Sequence, residues 1–164
     1  MNDSLLIIGA GQFGMMAKEI AKSMHCFEKI DFLDDNSDFA IGKIKDAGNF
    51  IQSYRNVSVA IGNPDLRLSL IKELRAIGFE IVSLVSPAAY VSPSATVSYG
   101  CIIEPNATLQ TASYLSVGCI VSSGAVIRHN AFLEEGCHAD CNSVITSNVT
   151  VSRTTKIACG EVFT

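Results

Sequence analysis

Residues 91–108 read VSPSATVSYGCIIEPNAT, and the positions that decide the fold are Val91, Val97 and Ile103, six apart. The spacing runs without a slip from Val85 to Ile157, through Leu109, Leu115, Val121, Ile127, Leu133, Ala139, Ile145 and Val151, with Ala139 the only weak member. The residue four places on is small in most repeats, as at Ala89, Ala95, Cys101, Ala107 and Cys137, and drifts only at Val149, Thr155 and Glu161. A period of six matches neither the 3.6 of a helix nor a heptad. It predicts a parallel β-helix of hexapeptide turns, with three hexads to a coil and about four coils in all. Aliphatic residues point into a triangular prism, and the small residues let the chain turn its corners. Residues one coil apart then stack, so Val91, Leu109, Ile127 and Ile145 form one inner column.

The same register accounts for the cysteines. Five of the six lie in the repeat; Cys101, Cys119 and Cys137 share the small corner position, and Cys141 and Cys159 are likewise one coil apart. Zinc sites are expected to show CxxC pairs or interleaved histidines. Cys137, His138 and Cys141 come nearest to that pattern, so the expectation is packing and no metal. Free thiols in number, without a signal peptide, point to a reducing cytoplasm.

The repeat occupies residues 85–164; residues 1–84 read differently. Ser4–Ile8 (SLLII) has the continuous apolar run of a buried parallel strand. It enters the GxGxxG turn Gly9-Ala10-Gly11-Gln12-Phe13-Gly14, and Phe13, Met16, Ala17, Ile20, Ala21 and Met24 follow at helical spacing. Lys29–Leu33 ends at Asp34-Asp35, and Val57–Ile61 ends at Gly62-Asn63. Asn63 is placed to cap a helix with Pro64 at its first position, and Gly78 to stop it near Ile77. Glu80–Leu84 reads as a fourth strand. Strands alternating with helices predict a small Rossmann-like parallel α/β domain over residues 1–84.

In such sheets, ligands bind beyond the carboxyl ends of the strands. The glycine turn, with Gly11 and Gln12, offers backbone N–H groups at a helix N-terminus and favours a phosphate. Asp34 and Asp35 are placed to accept hydrogen bonds from ribose or sugar hydroxyls. Gly62 permits close approach, and Asn63 offers an amide to a base. The plain alternative is a turn whose glycines serve only helix–sheet packing. Four strands leave no room for a whole dinucleotide, which disfavours an NAD-dependent oxidoreductase.

The chain has 164 residues, 48% hydrophobic and 17% charged, with a formal net charge of −4. The acidic balance argues against nucleic acid. No run approaches the ~18 apolar residues of a membrane span. Of three histidines, His25 ends the first helix as a surface or capping residue. His129 lies two places after an inward position and faces out from the prism wall, with Thr111 and Ser147 one coil away. His138 lies five places after Leu133, near a corner, with Lys156 one coil above. An outward histidine near neutral pKa suits general-base work at a subunit cleft, although an exposed solenoid histidine is more often incidental.

The stretches IIGAGQFG (7–14), FLDD (32–35), AIGNPDLR (60–67), VSPSATV (91–97) and SSGAVIRHNAFLEEGCH (122–138) resemble sugar O- and N-acetyltransferases of the sialic acid O-acetyltransferase and UDP-N-acetylbacillosamine N-acetyltransferase type. The resemblance covers the whole chain. It implies a left-handed β-helix that binds acetyl-CoA and an α/β domain that holds a nucleotide-linked sugar. It also implies a homotrimer with active sites between adjacent prisms, and a role in surface-glycan biosynthesis. By the same resemblance His129 is the base, His138 and Lys156 contact acetyl-CoA, and Gly11, Gln12, Asp34, Asp35, Gly62 and Asn63 contact the substrate. The chain departs from that pattern in three places. Asn130 stands where the family has an acid beside the base, and Ser122-Ser123 where it often has Asn-Thr. The repeat also becomes irregular after Val149, so that Lys156–Thr164 reads as a closing strand. These departures open a second reading, a non-catalytic module that binds a nucleotide sugar and trimerises, with a curtailed acetyl-CoA site.

Overall fold

The computed structural model describes residues 4–164. Its first half is β1 (Ser4–Ile8), α1 (Gln12–Ser23), β2 (Lys29–Leu33), a 3₁₀ segment (Ile44–Phe50), β3 (Asn56–Val59), α2 (Pro64–Ile77) and β4 (Glu80–Ile81). The four strands are parallel, in the order β2-β1-β3-β4. Residues of β1 alternate between two cores: Leu5 and Ile7 pack with Ala17, Ile20 and Ala21 of α1, whereas Leu6 and Ile8 pack with Leu70, Ile71 and Leu74 of α2. Such two-sided burial explains why SLLII is apolar throughout. The ends of α2 follow from its sequence. Asn63 Oδ1 accepts the Leu66 N–H at 2.9 Å, Pro64 takes the first turn, and Gly78 ends the helix at φ 113°.

From Leu84 the chain winds through three stacked parallel sheets of five, five and four strands. The first face carries Leu84–Val85, Ile102–Ile103, Ile120–Val121, His138–Ala139 and Lys156–Ile157. The second carries Tyr90–Val91, Thr108–Leu109, Val126–Ile127, Val144–Ile145 and Val162–Phe163. The third carries Thr96–Val97, Tyr114–Leu115, Phe132–Leu133 and Thr150–Val151. The second residue of each pair points inward, as the six-residue period requires. This is a left-handed β-helix behind a Rossmann-like α/β unit.

Three sequence expectations need correction. Val57–Ile61 gives a strand only to Val59. Glu80–Leu84 splits in two: Glu80–Ile81 pairs with β3, while Leu84–Val85 is already the first strand of the solenoid. Ser83 makes the transfer, its hydroxyl donating to Ser98 O at 2.8 Å and accepting the Cys101 N–H at 2.9 Å. The repeat also does not fray after Val149. Lys156–Ile157 and Val162–Phe163 continue the first and second faces in register. Thr155 and Glu161 fall at corners, where a longer side chain is tolerated, and Glu161 Oε2 accepts the Ala158 N–H at 2.8 Å.

A second period of six runs beside the inward one. Gly100, Asn106, Ala112, Gly118, Gly124, Asn130, Gly136, Asn142, Asn148, Thr154 and Gly160 all have φ between 54° and 73°. This is the left-handed region, which glycine and asparagine enter most easily, and only Ala112 and Thr154 break the rule. At the corner between the third and first faces the glycines have a second reason. A Cβ on Gly100 or Gly118 would meet Ile71 Cδ1 at 3.0 Å, and one on Gly136 would meet Leu68 Cδ1 at 2.9 Å. Helix α2 therefore lies directly against that corner.

Cys101, Cys119 and Cys137, all fully buried, form a ladder inside the same corner. Each thiol donates to a carbonyl one coil on: Ser116 O, Glu134 O and Ser152 O, each at 3.1 Å. Hydrogen bonding along the stack, then burial, push the Cys119 and Cys137 thiols well above their ordinary range. Packing accounts for these three cysteines, as the register implied.

Candidate functional site

The strand-end crevice is built from two kinds of glycine. Gly9 sits at φ 100°, and a Cβ there would lie 2.7 Å from Ala60 O; a Cβ on Gly14 would lie 2.0 Å from Gly9 O. Both are required by helix–strand contact. Gly11 and Gly62 are different: both are exposed, and a Cβ at either would meet nothing within 4 Å. Packing within the chain gives no reason for glycine at these two places, which are the ones facing solvent beyond β1 and β3.

Asp34 is partly committed to the fold. Its Oδ2 accepts the Ala10 N–H and its Oδ1 the Asn36 N–H, both at 2.8 Å. The Ala10 bond, then the Asn36 bond, hold its carboxyl below the ordinary 3.8. Asp34 thus ties the end of β2 to the glycine turn and shapes the crevice from below. Asp35 Oδ1 accepts the Ile44 N–H at 3.1 Å, and its carbonyl accepts Lys43 Nζ. Gln12 opens α1 and is exposed. Asn63 has its oxygen on the α2 cap, which leaves its NH₂ to donate outward.

Arg67, which the motif reading did not single out, is the pivot of the molecule. Its side chain is fully buried. Nε donates to Gly118 O at 2.8 Å, Nη2 to Gly136 O at 2.8 Å, and Nη1 to Ile61 O at 2.7 Å and Gly62 O at 2.9 Å. Among the described residues it pairs with no carboxylate. Burial lowers its pKa from the usual 12.5, so the carbonyls alone offset the cost of a buried charge. The sequence signal available was its place one turn into a capped helix, where the period calls for an apolar residue. Through Arg67 the end of β3 is fastened to the corner that carries Gly136.

His138 lies two residues past that corner. It stands within the first face, directly before inward Ala139. Its Nε2 is 3.0 Å from Ser122 Oγ. Burial lowers its pKa, favouring neutral imidazole. Lys156 stands beside it on the next coil and donates to Asp140 Oδ2 at 2.9 Å. Ser123 donates through N–H and hydroxyl to Glu104 Oε2, at 2.9 and 3.0 Å.

His129 occupies a turn between the second and third faces and is exposed. Its Nδ1 is 3.1 Å from Ser147 Oγ, one coil away, and its N–H donates to Gln110 Oε1 at 3.3 Å. Tyr90, Gln110, Thr111 and Asn130 line with it a cleft of about 510 Å³. A cavity of about 580 Å³ along α2, between Leu68, Arg75, Tyr99 and Val117, holds none of the site residues read from the sequence. Asn130 is at φ 57°, in the left-handed series, with Nδ2 donating to Asn148 Oδ1 at 3.1 Å.

In a three-sided prism, the corner between the second and third faces is opposite the first face. His129 is therefore on one side of the solenoid. The crevice, Arg67 and His138 are on the other. One copy of the chain does not bring these groups together.

Residues 4–74 match the PglD N-terminal domain. The fold is also that of solved structures. The acetyltransferase domain of PglB from Neisseria gonorrhoeae, in complex with acetyl coenzyme A, is 25% identical with a TM-score of 0.68, the match covering 99% of this chain and 94% of that one. A variant of perosamine N-acetyltransferase from Caulobacter crescentus, in complex with CoA and GDP-perosamine, is 18% identical with a TM-score of 0.70, covering 97% and 90%. WeeI from Acinetobacter baumannii is 15% identical with a TM-score of 0.55, covering 96% and 94%. The chain thus resembles sugar acetyltransferases of the hexapeptide-repeat, left-handed β-helix type over both halves.

Proposed function

We propose that the chain is an acetyl-CoA-dependent transferase that acetylates an amino or hydroxyl group of a nucleotide-linked sugar in surface-glycan biosynthesis, and that it works as a homotrimer. Residues 1–84 are the nucleotide-sugar domain and 85–164 the acetyltransferase domain. The observation that carries this reading is the placement of His129 on the opposite side of the prism from the crevice and His138. Packing prisms side by side sets one copy's His129 against another copy's first face. The active site is then completed between subunits.

In that cleft, Gly11 and Gln12 at the start of α1, with Gly62 and Asn63 at the start of α2, receive the nucleotide. Backbone N–H groups and the helix termini favour its phosphates. Asp35 and Asp34 lie at the sugar-facing strand end. His129 donates Nδ1–H to Ser147, which leaves Nε2 free as base. It takes the proton as the acceptor nitrogen or oxygen attacks the thioester carbonyl; the new C–N or C–O bond forms, the C–S bond breaks, and the imidazolium returns the proton to sulfur so that CoA leaves as the thiol. His138, held neutral, and Lys156 contact acetyl-CoA, the lysine matching its phosphates. Ser147 orients the base in place of a carboxylate, so the imidazolium gains no ionic partner.

Among the described residues no helix is long and apolar enough to cross a membrane, and a cytoplasmic setting fits the six free cysteines. Asn130 favours the non-catalytic alternative. The extent of the match speaks against it, because the chain spans 94% of a neighbour solved with acetyl-CoA. The test is thiol release from acetyl-CoA with UDP-, GDP- and dTDP-linked amino sugars. His129→Ala is expected to lower kcat by ~10²–10⁴-fold with the trimer intact. Undiminished turnover removes His129 as base, and calorimetry showing sugar-nucleotide binding without acetyl-CoA binding supports the non-catalytic module.

A further inference from the structure

The corner between the first and second faces carries a cluster that the proposed reaction does not use. Asp140, Cys141 and Cys159 present one carboxylate oxygen and two sulfurs, all within 4.8 Å of one another. Cys159 Sγ is 3.8 Å from Asp140 Oδ1. A tetrahedral zinc site with bonds of ~2.3 Å to sulfur and ~2.0–2.2 Å to nitrogen or oxygen has donor–donor edges of roughly 3.3–3.8 Å. The side chains are close to that spacing already.

The backbone holds them there. Cys141 and Cys159 are one coil apart, and Gly160 N–H donates to Cys141 O at 2.9 Å. Asp140 Oδ1 accepts the Cys141 N–H at 2.8 Å. Lys156 takes the other oxygen, Oδ2, so the ammonium does not stand between Oδ1 and the thiols. Two sulfurs select a borderline-soft ion over magnesium or calcium.

We propose that Asp140, Cys141 and Cys159 bind one zinc ion, with water in the fourth position. On binding, both thiols release their protons to solvent and bind as thiolates. No electron transfer is involved. The ion ties the coil of Cys141 to the coil of Cys159 at a corner distant from α2. This assignment stands apart from the catalytic reading, and its readout is metal uptake rather than turnover.

The experiment uses the full chain, stripped with chelator under a non-thiol reductant, titrated with cobalt(II) and then back-titrated with zinc. One cobalt per chain is expected, with the intense visible absorption of a tetrahedral thiolate site, displaced by one equivalent of zinc. Cys141→Ser and Cys159→Ser are each expected to weaken zinc binding by at least ~100-fold, with circular dichroism confirming the fold, and Cys26→Ser is expected to leave it unchanged. Sub-stoichiometric uptake, an octahedral cobalt spectrum, or a tetrahedral spectrum that survives the Cys141→Ser/Cys159→Ser double variant overturns the proposal. So does a Cys141–Cys159 disulfide that persists under reductant in place of the ion.

Discussion

Two corners of the same prism obey one backbone rule and fill it differently. At the corner between the third and first faces, the left-handed positions are Gly100, Gly118 and Gly136, with Thr154 in the last coil; at the corner between the second and third faces they are Ala112, Asn130 and Asn148. Helix α2 presses on the first, whereas Ala112, Asn130 and Asn148 at the second are exposed. The φ angle alone asks only for a residue that tolerates the left-handed region, and asparagine suffices. Glycine on three successive coils marks a surface already covered, whereas side chains at the same register mark a surface open to a ligand or another copy.

The covered corner depends most on Arg67. Arg67→Ala leaves Gly118 O and Gly136 O without their donor inside a covered corner, and a loss of ~3–5 kcal/mol is expected, measured by denaturant unfolding. A loss below ~1 kcal/mol shows that the corner is held by apolar contact alone. Next comes Gly136→Ala, where left-handed strain of ~1–2 kcal/mol adds to the crowding of Leu68. Its thermal midpoint is expected to fall clearly below that of Ala112→Gly at the open corner, where glycine relieves strain. Equal behaviour of the two denies the distinction between corners. Smaller still is Asn130→Asp, which keeps a residue tolerant of φ 57° and places a carboxylate next to His129. If His129 is the base, kcat is expected to rise by up to ~10-fold, about 1.4 kcal/mol of barrier, at unchanged stability.

The smallest effect concerns Asp34, at the crevice. Its folded pKa lies below 3.8, chiefly through the Ala10 N–H. The unfolded chain therefore binds the proton first, and the contribution of Asp34 is present above pH 3.8 and lost as pH falls through its lowered value. Asp34→Asn is expected to flatten that acid limb in stability measured against pH. An unchanged slope means that the carboxylate is not what holds the glycine turn.

The inward ladder and both caps of α2 were legible because each depends on neighbours in sequence. Apolar residues recur every six, and Asn63, Pro64 and Gly78 bracket one helix. The left-handed ladder from Gly100 to Gly160 was legible as well, in its glycines and asparagines, but the stronger apolar signal masked it. The role of Arg67 was not legible, since its acceptors lie on two coils brought together only by winding. Cys141 and Cys159 stand one coil apart, a spacing that matches no ligand pattern of loops or helices. In a solenoid, one turn of chain brings ligands together as surely as CxxC does. Similarly, His129 and His138 are nine residues apart in sequence and on opposite sides of the prism in space.

The buried thiol ladder gives the molecule an internal clock. Cys101, Cys119 and Cys137 are sealed, Cys26 and Cys159 are exposed, and Cys141 is half-buried. An alkylating reagent should therefore label the chain in two waves. The first reads the outer surface, and the second waits for individual coils to part. Because the three sealed sulfurs lie on successive coils, the order in which they are labelled reports from which end the solenoid unwinds.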